Sequence, residues 1–494
     1  MDTGYRRVHR RILGGGRRML GGGLVAVTLA ALVAACGSDD PPPTPPAEVV
    51  LNRAQEASFP FRTDAEGEVV LDVTATAPGV SWATPGSESA VVSLYVDDAY
   101  KTDVVIPASF PIRRSFALGN LPAGDHTLRL LFADDRSPQG ATGARLTEFE
   151  FRTITRDDPA YLAAAHAPVI YGRTVANPAT EPGSPAAGPF QNAVTDTPLV
   201  SFYTEASTSI AGNRLLTYSL VWSNEDGGTS TPALMARWGR TTDIEWTYQV
   251  EVDSNGNAVP GSAVIQGPNH VNTPFTGPFD GTHPLLQTCT LNNNICAQTD
   301  GQMRFALAAG AHLDPAAEAR EKVMDDNPWT YRLMAEEVKR EGKVVEAPDP
   351  NSTEFISDPR NYLYLVIRKT TQNPPNSDDA WIGVSVGVRL SGNPNSFWSH
   401  RVYPSWSVER DLPAAIAIEL PPGTVPEDIQ SIQATRLVGE GYDTGARVQV
   451  ESIERAFFLG PDGLPQESFL FAPTKVTLTA AAPTATLYRR PGTS

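Results

Sequence analysis

The chain has 494 residues, 41% of them hydrophobic, and a formal net charge of −17. That hydrophobic share supports buried cores and argues against wholesale disorder, while the acidic surface repels phosphate backbones and argues against nucleic acid as a partner. Gly 40 and Pro 43 suit many short strands joined by turns rather than a helical protein.

The first residues read as an export signal. Arg6, Arg7, Arg10, Arg11, Arg17 and Arg18 form a basic stretch, and Leu20 to Ala35 is an uncharged, mostly apolar run. The run is shorter than the roughly 20 residues a helix needs to cross a bilayer. Val33, Ala34, Ala35 and Cys36 follow, and this Val-Ala-Ala-Cys resembles the lipobox of bacterial lipoproteins. The resemblance implies cleavage of a signal peptide, residues 1–35, and lipidation (diacylglycerol and palmitate) of Cys36, which anchors the chain to a bilayer. The Arg pairs also permit a twin-arginine route. Residues 36–47 are a Pro-rich tether, GSDDPPPTPP from Gly37 to Pro46, which is extended and semi-rigid. Gly rather than Asp after Cys36 favours the outer membrane, with the body periplasmic or surface-exposed.

The rest is expected to be mainly β: tandem β-sandwich domains with a small helical insertion. Residues 48–155 form an N-terminal module, with period-two alternation in Glu68–Thr76, Val91–Val96 and Thr127–Phe132. The Gly-rich turn in Phe116–Leu128 resembles one in accessory sandwich modules of secreted bacterial proteins, several of which bind carbohydrate; a plain structural spacer remains open. Arg156–Ala165 reads as a short helical linker. A central β-rich domain, 160–394, has expected strands at Leu199–Tyr203, Leu215–Trp222, Ile244–Val252, Met303–Ala308, Tyr362–Arg368 and Trp381–Leu390.

A helical pair at 314–342 interrupts that domain, opened by Asp314 ahead of Pro315 and closed by Gly342. Val323, Trp329, Leu333, Met334 and Val338 make its apolar face. Residues 395–494 add strands at Ala414–Leu420, Arg447–Ile453 and Lys475–Ala480, as a separate sandwich or as completion of the central domain. With Cys36 taken by lipid, Cys289 and Cys296 most simply pair as a disulfide in an oxidising compartment.

The densest chemical stretch is Tyr218 to Asp253. Asp243 and Glu245 are two apart, so on a strand they share a face. Like charges there call for something positive between them, either a hard cation such as calcium or magnesium or the guanidinium of Arg237 or Arg240. Downstream, GPNHVNTPFTGPFDGTHPLL carries His270, Asp280 and His283 in a shaped surface loop. If that loop folds over the acids, a mixed carboxylate and imidazole site results. Asp226, Asp243, Glu245 and His270 are the candidate metal or ligand site; Glu225, Arg237, Arg240, Asp280 and His283 are secondary candidates. Trp222, Trp238 and Trp246 read as core aromatics before sugar platforms, and Asp253–Asn257 as a hairpin turn before a calcium loop. Ser201 and Ser223 have no assigned catalytic partner, and no G-x-S-x-G, H-E-x-x-H or P-loop is present.

Tyr218–Asp226 (YSLVWSNED), Gly239–Glu245 (GRTTDIE) and Gly267–His270 (GPNH) resemble, in order, three motifs of the necrosis- and ethylene-inducing peptide-like proteins and a related vacuolar sorting domain. The resemblance spans about 60 residues. It implies a β-sandwich with Asp226, Asp243 and Glu245 as ligands of a divalent metal and glycolipid head groups as targets. Arg240 and Thr242 stand where that family has histidines, which puts metal retention in doubt. Three functions follow as expectations: a lipoprotein binding a glycan or glycolipid at a loop-built acidic site; a metal-dependent or acid/base hydrolase or lyase on an extracellular polymer; or a structural envelope lipoprotein.

Overall fold

A computed structural model describes residues 44–173, 197–225, 229–373 and 381–492. Cys36, the signal segment and Asp226 lie outside the described residues. The protein is mainly β, built as tandem antiparallel sandwiches with few helices. Among the described residues no helix is long and apolar enough to cross a membrane.

The N-terminal module packs two four-stranded sheets. One orders Glu48–Asn52, Gly143–Ile154, Gly67–Thr76 and Ile112–Leu121; the other orders Glu56–Thr63, Gly124–Phe132, Ala90–Val96 and Ala99–Ile106. Alternation explains the pairing. In Gly124–Phe132, His126, Leu128, Leu130 and Phe132 are buried while Thr127 is exposed, so one face meets the opposite sheet. The short helix Tyr161–Ala165 leads out of this module.

The central region has a five-stranded sheet in the order Pro198–Ser207, Arg214–Trp222, Asp243–Val252, Val264–Gly267, Val271–Pro274. A second sheet joins Phe279–Asp280, His283–Thr288, Val169–Tyr171 and Arg304–Phe305, with Ile295–Cys296 paired to His283–Thr288. Met303–Ala308 therefore contributes a two-residue strand. The remainder of the segment serves as a stitch: Ala308 N donates to Ser115 O, and Gly310 N to Ser201 O.

The strands Tyr362–Gln372 and Trp381–Leu390 pair with the C-terminal part of the chain. Leu412–Glu419, Tyr362–Gln372, Arg447–Phe457 and Ala472–Leu478 make one sheet; Ser396–Trp398, Trp381–Leu390, Ile429–Glu440 and Thr484–Arg489 make the other. They enclose their own apolar core, including Leu365, Val384, Ile416 and Val450. Hydrogen bonding thus groups residues from 362 onward into a third sandwich that includes two strands expected in the central domain.

The helical insertion couples the modules. Its helices are Lys322–Asp326 and Trp329–Arg340; the stretch after Asp314 forms turns instead, because Ala317 N and Glu318 N both close on Asp314 O. Val323, Trp329, Leu333, Met334 and Val338 are all buried, each contributing roughly 1.5–3 kcal/mol of transfer free energy. Gly342, at φ +71°, stops the longer helix. On one side the Trp82 indole of the N-terminal module donates to Glu337. On the other, Tyr331 meets Tyr364 and Phe457 of the C-terminal sandwich edge-on, at 5.9 and 5.6 Å between centroids.

Candidate functional site

Strands Arg214–Trp222 and Asp243–Val252 run side by side, with Trp222 opposite Asp243 and Leu220 opposite Glu245. Between them the chain forms a helix, Thr231–Trp238, that the sequence reading did not anticipate. Gly239 ends it at φ +64°, where a Cβ would meet the Ile416 backbone at 3.1 Å. The turn is therefore open to glycine alone at this packing distance, and it delivers Arg240 and Asp243 to the end of the sheet.

Asp243 is 1% exposed and Glu245 half-buried. Glu225, just beyond Trp222, is half-buried and its carboxyl is hydrogen-bonded to Asp243. Two carboxyls in that relation disfavour each other's charge. Burial, then the charges of Glu225 and Glu245, raise Asp243 well above the ordinary carboxylate range; burial likewise raises Glu225, against the pull of Arg240.

Amides complete the cluster. Asn293 Nδ2 donates to Asp243 Oδ2 at 2.9 Å and to Asn224 O at 3.1 Å. Gln266 Nε2 donates to Glu245 Oε2 at 2.9 Å and lies 2.8 Å from His270 Nδ1. Asn292 Nδ2 lies 2.8 Å from His270 Nε2. The exposed imidazole is thus held between two amides, presented by a left-handed pair, Asn269 at φ +59° and His270 at φ +58°. Non-glycine residues adopt that conformation at a cost, often at functional positions.

Two buried amide oxygens in this cluster, Gln266 Oε1 and Asn293 Oδ1, have no hydrogen-bond partner, nor does Asn294 Nδ2. Each such atom costs about 1–3 kcal/mol unless something binds it. Asn292, Asn293 and Asn294 sit inside the loop closed by the Cys289–Cys296 disulfide, whose Cα atoms are 5.9 Å apart. The crosslink therefore also shapes the site. The Asn run between the two cysteines was the available signal, and the sequence reading passed over it.

The other candidates disperse. Arg240 is buried, but it donates to Glu321 Oε1 at 3.2 Å and to Thr242 O, acting on the acids through its charge. Arg237 turns toward Glu409, 4.0 Å away. Asp280 pairs with Arg304 at 2.6 Å. His283 is buried against Glu68 of the N-terminal module, 3.0 Å from its carboxylate. The expected loop thus splits: His270 joins the acids, Asp280 goes to Arg304, and His283 faces the N-terminal module. Among the described residues no three His, Cys, Asp or Glu side chains are grouped to hold a metal. Trp222 is fully buried, and Asp253 folds back on Asn255 N and Asn257 N at 2.9 and 2.8 Å as a local turn.

No protein-family profile matches the chain, and no curated protein matches it. Solved structures that it is similar to include a carbohydrate-binding module of Cellvibrio mixtus lichenase 5A in complex with cellotriose, at 12% identity, over 21% of this chain and 75% of that one, TM-score 0.17. The C-terminal domain of EclA, a sugar-binding protein, matches at 17% identity over 24% of this chain and 86% of its own, TM-score 0.17. A module of a multidomain xylanase from the hindgut metagenome of Trinervitermes trinervoides matches at 15% identity over 20% and 76%, TM-score 0.16.

Proposed function

We propose that this chain is an exported protein, anchored to the outer membrane through lipid on Cys36, that binds a glycan or glycolipid head group at the cluster of Glu225, Asp243, Glu245 and His270. The observation that carries the reading is the convergence of Glu225, Asp243, Glu245 and the exposed His270 with the amides of Gln266, Asn292 and Asn293 at one end of the central sheet. A sugar hydroxyl both donates and accepts, so it can donate to the half-buried carboxyls of Glu225 and Glu245 and accept from the second N–H of the half-buried Asn292 amide.

Geometry favours binding over hydrolysis. Glycosidase carboxyls stand about 5 Å apart or farther, to leave room for the sugar or for water. Glu225 and Asp243 are in hydrogen-bond contact and leave no such gap. A divalent cation is the further element of this reading: Glu225, Asp243 and Glu245 are the residues that would hold it, and it would supply a hard Lewis acid for sugar hydroxyls.

The test is a glycan array and calorimetry on the full-length chain in detergent, with and without calcium or a chelator. Changing Asp243→Ala together with Glu245→Ala is expected to weaken binding about a hundredfold. Undiminished binding by that variant removes the site. Chelation that abolishes binding assigns the cation a role; chelation without effect assigns the cluster to direct hydrogen bonding. For the anchor, the expected result is palmitate labelling that disappears in Cys36→Ser.

A further inference from the structure

On the strand Trp381–Leu390, Val384, Val386 and Val388 point into the core of the C-terminal sandwich. Ser385, Gly387 and Arg389 therefore lie on the outer face of the sheet. Cross-strand pairing extends that face: Trp398 lies opposite Gly387, Gly387 opposite Gln433, and Gln433 opposite Thr486. The next row runs from Arg389 through Ser431 to Arg489. The Trp398 ring is laid on Gly387, where a Cβ would lie 2.6 Å from Cε3 and 2.8 Å from Cδ2 and Cζ3. His400, its Nδ1 2.7 Å from Ser385 Oγ, closes one edge of the indole at 5.8 Å between centroids. Trp398 is half-buried, with its second face turned away from the sheet. Among the described residues no cation stacks on it, in contrast to Trp238.

The charge on this face is one-sided. The four strands hold a single acid, Glu440, at the far end of Ile429–Glu440, against Arg389, Arg436 and Arg489. Arg436 is buried and bound to Asp443. Arg389 and Arg489 are exposed, and among the described residues neither has an ion-pair partner; Arg389 spends only Nε, on Asn393 O at 3.4 Å. They stand two strand spacings apart, about 10 Å. In a chain of net charge −17, that is a locally cationic surface. Between the ring and the guanidiniums lie neutral groups. The half-buried Gln433 amide makes no hydrogen bond among the described residues, nor does the exposed Thr486 hydroxyl.

We propose that this sheet face binds an acidic oligosaccharide. The C–H face of one pyranose ring rests on Trp398, where the hydrogens meet the negative π face. Sugar hydroxyls pair with Gln433 and Thr486, and a carboxylate or sulfate of the chain is taken by Arg389 or Arg489, whose guanidiniums match either anion. The acidic cluster of the central sheet shares no residue with this face and repels such a ligand, so the two sites fail separately.

Calorimetry on the full-length chain in detergent tests it, with uronic acid oligosaccharides, sulfated oligosaccharides and neutral gluco-oligosaccharides of equal length. The acidic ligands are expected to bind at least tenfold more tightly than the neutral ones. Preference for the uronic acids or for the sulfated sugars assigns the anion, and either supports the proposal. Trp398→Ala is expected to weaken binding about thirtyfold, the scale of one ring stacked on an aromatic side chain. Arg389→Gln with Arg489→Gln is expected to cost about tenfold, the scale of one hydrogen bond to a charged group, and to abolish the preference for acidic ligands. If Trp398→Ala unfolds the chain, the arginine pair decides, since both side chains are exposed. An unaltered chain that binds no acidic oligosaccharide, or binds neutral ones equally well, overturns the proposal. So does full affinity in both variants, or loss with the arginine pair alone, which leaves only a charged patch. Loss in Asp243→Ala with Glu245→Ala but in neither face variant also overturns it and leaves the acidic cluster.

Discussion

Asp243 and Glu321 are buried to nearly the same degree, at 1% and 2% exposure, yet their chemistry is opposite. Burial pushes both carboxyls up. Around Glu321 three guanidiniums, Arg410, Arg240 and Arg320, outweigh it and hold the group below its ordinary value. Around Asp243 the near neighbours are Glu225 and Glu245, whose charges add to burial and raise the group well above its ordinary value. The guanidinium cluster is a solved electrostatic problem: Arg240, Arg320 and Arg410 also lie over the Trp238 ring, at 5.6, 4.7 and 4.1 Å. The acid cluster is met by amides, with Asn293 on Asp243 and Gln266 on Glu245. A buried carboxyl among cations joins elements as an anion; a buried carboxyl among other acids is held by neutral amides instead.

The largest expected effect comes from removing the anion that makes the first cluster work. Glu321→Gln leaves the buried Arg240 and the half-buried Arg320 and Arg410 without their central anion, and Arg410 is already pushed down to about 9 by burial. A destabilisation of about 4 kcal/mol is expected in urea unfolding, the scale for breaking a buried pair from one side. An unchanged midpoint would mean that Glu321 is not the keystone of the cluster. Next in size is the double change Cys289→Ser with Cys296→Ser. Opening so short a loop costs about 2.5 kcal/mol in the chain-entropy picture. Because Asn292 and Asn293 ride on that loop, ligand affinity is expected to fall with it. Stability lost without any change in binding would separate the crosslink from the site.

The third contrast is a matter of pH. An acid held above its ordinary value in the folded state takes up a proton on folding. Its contribution is complete below the ordinary Asp value of 3.8 and is lost as pH rises through the folded value. Asp243→Asn mimics the protonated form. It is expected to match the unaltered chain at low pH and to be the more stable of the two once pH has risen through the folded value. Thermal unfolding across pH checks this; a constant difference between the two curves would show that no proton is held there.

Much of this was legible in the sequence, for reasons that differ by residue. The strand Trp381–Leu390 falls where alternation places it, because one face is apolar throughout. Ile429–Glu440 does not read as a strand because its inward face carries Arg436, buried and bound to Asp443. Thr231–Trp238 is too short a helix for periodicity to register. At the site, Asp243 and Glu245 are visible from their spacing alone. Gln266, Asn292 and Asn293 belong to loops, where no period links a residue to its destination. Glu321, which neutralises Arg240, arrives from a helical insertion some 80 positions away.

The smallest effect concerns the Glu68–His283 pair, the opposite-charge counterpart of the acid cluster, at the junction of two modules. His283 Nε2 faces the Glu68 carboxylate at 3.0 Å, and Nδ1 faces Ala167 O at 2.9 Å. Both partners can only accept, so the ring satisfies both only when it carries two protons. Burial disfavours charge on each group, but their hydrogen bond prevails, raising His283 and lowering Glu68; nearby His166 is pushed down by burial. The His283 contribution is complete below the ordinary value of 6.5 and is lost as pH rises through the higher folded value. The Glu68 contribution is complete above 4.5 and is lost as pH falls through the lower folded value. His283→Gln is therefore expected to cost about 1 kcal/mol between those two limits, the net worth of a hydrogen bond, and less at pH 9, where the unaltered ring has lost one of its two donors. A cost that grows with pH would mean that the imidazole is neutral in the folded protein and that the junction is held by packing instead.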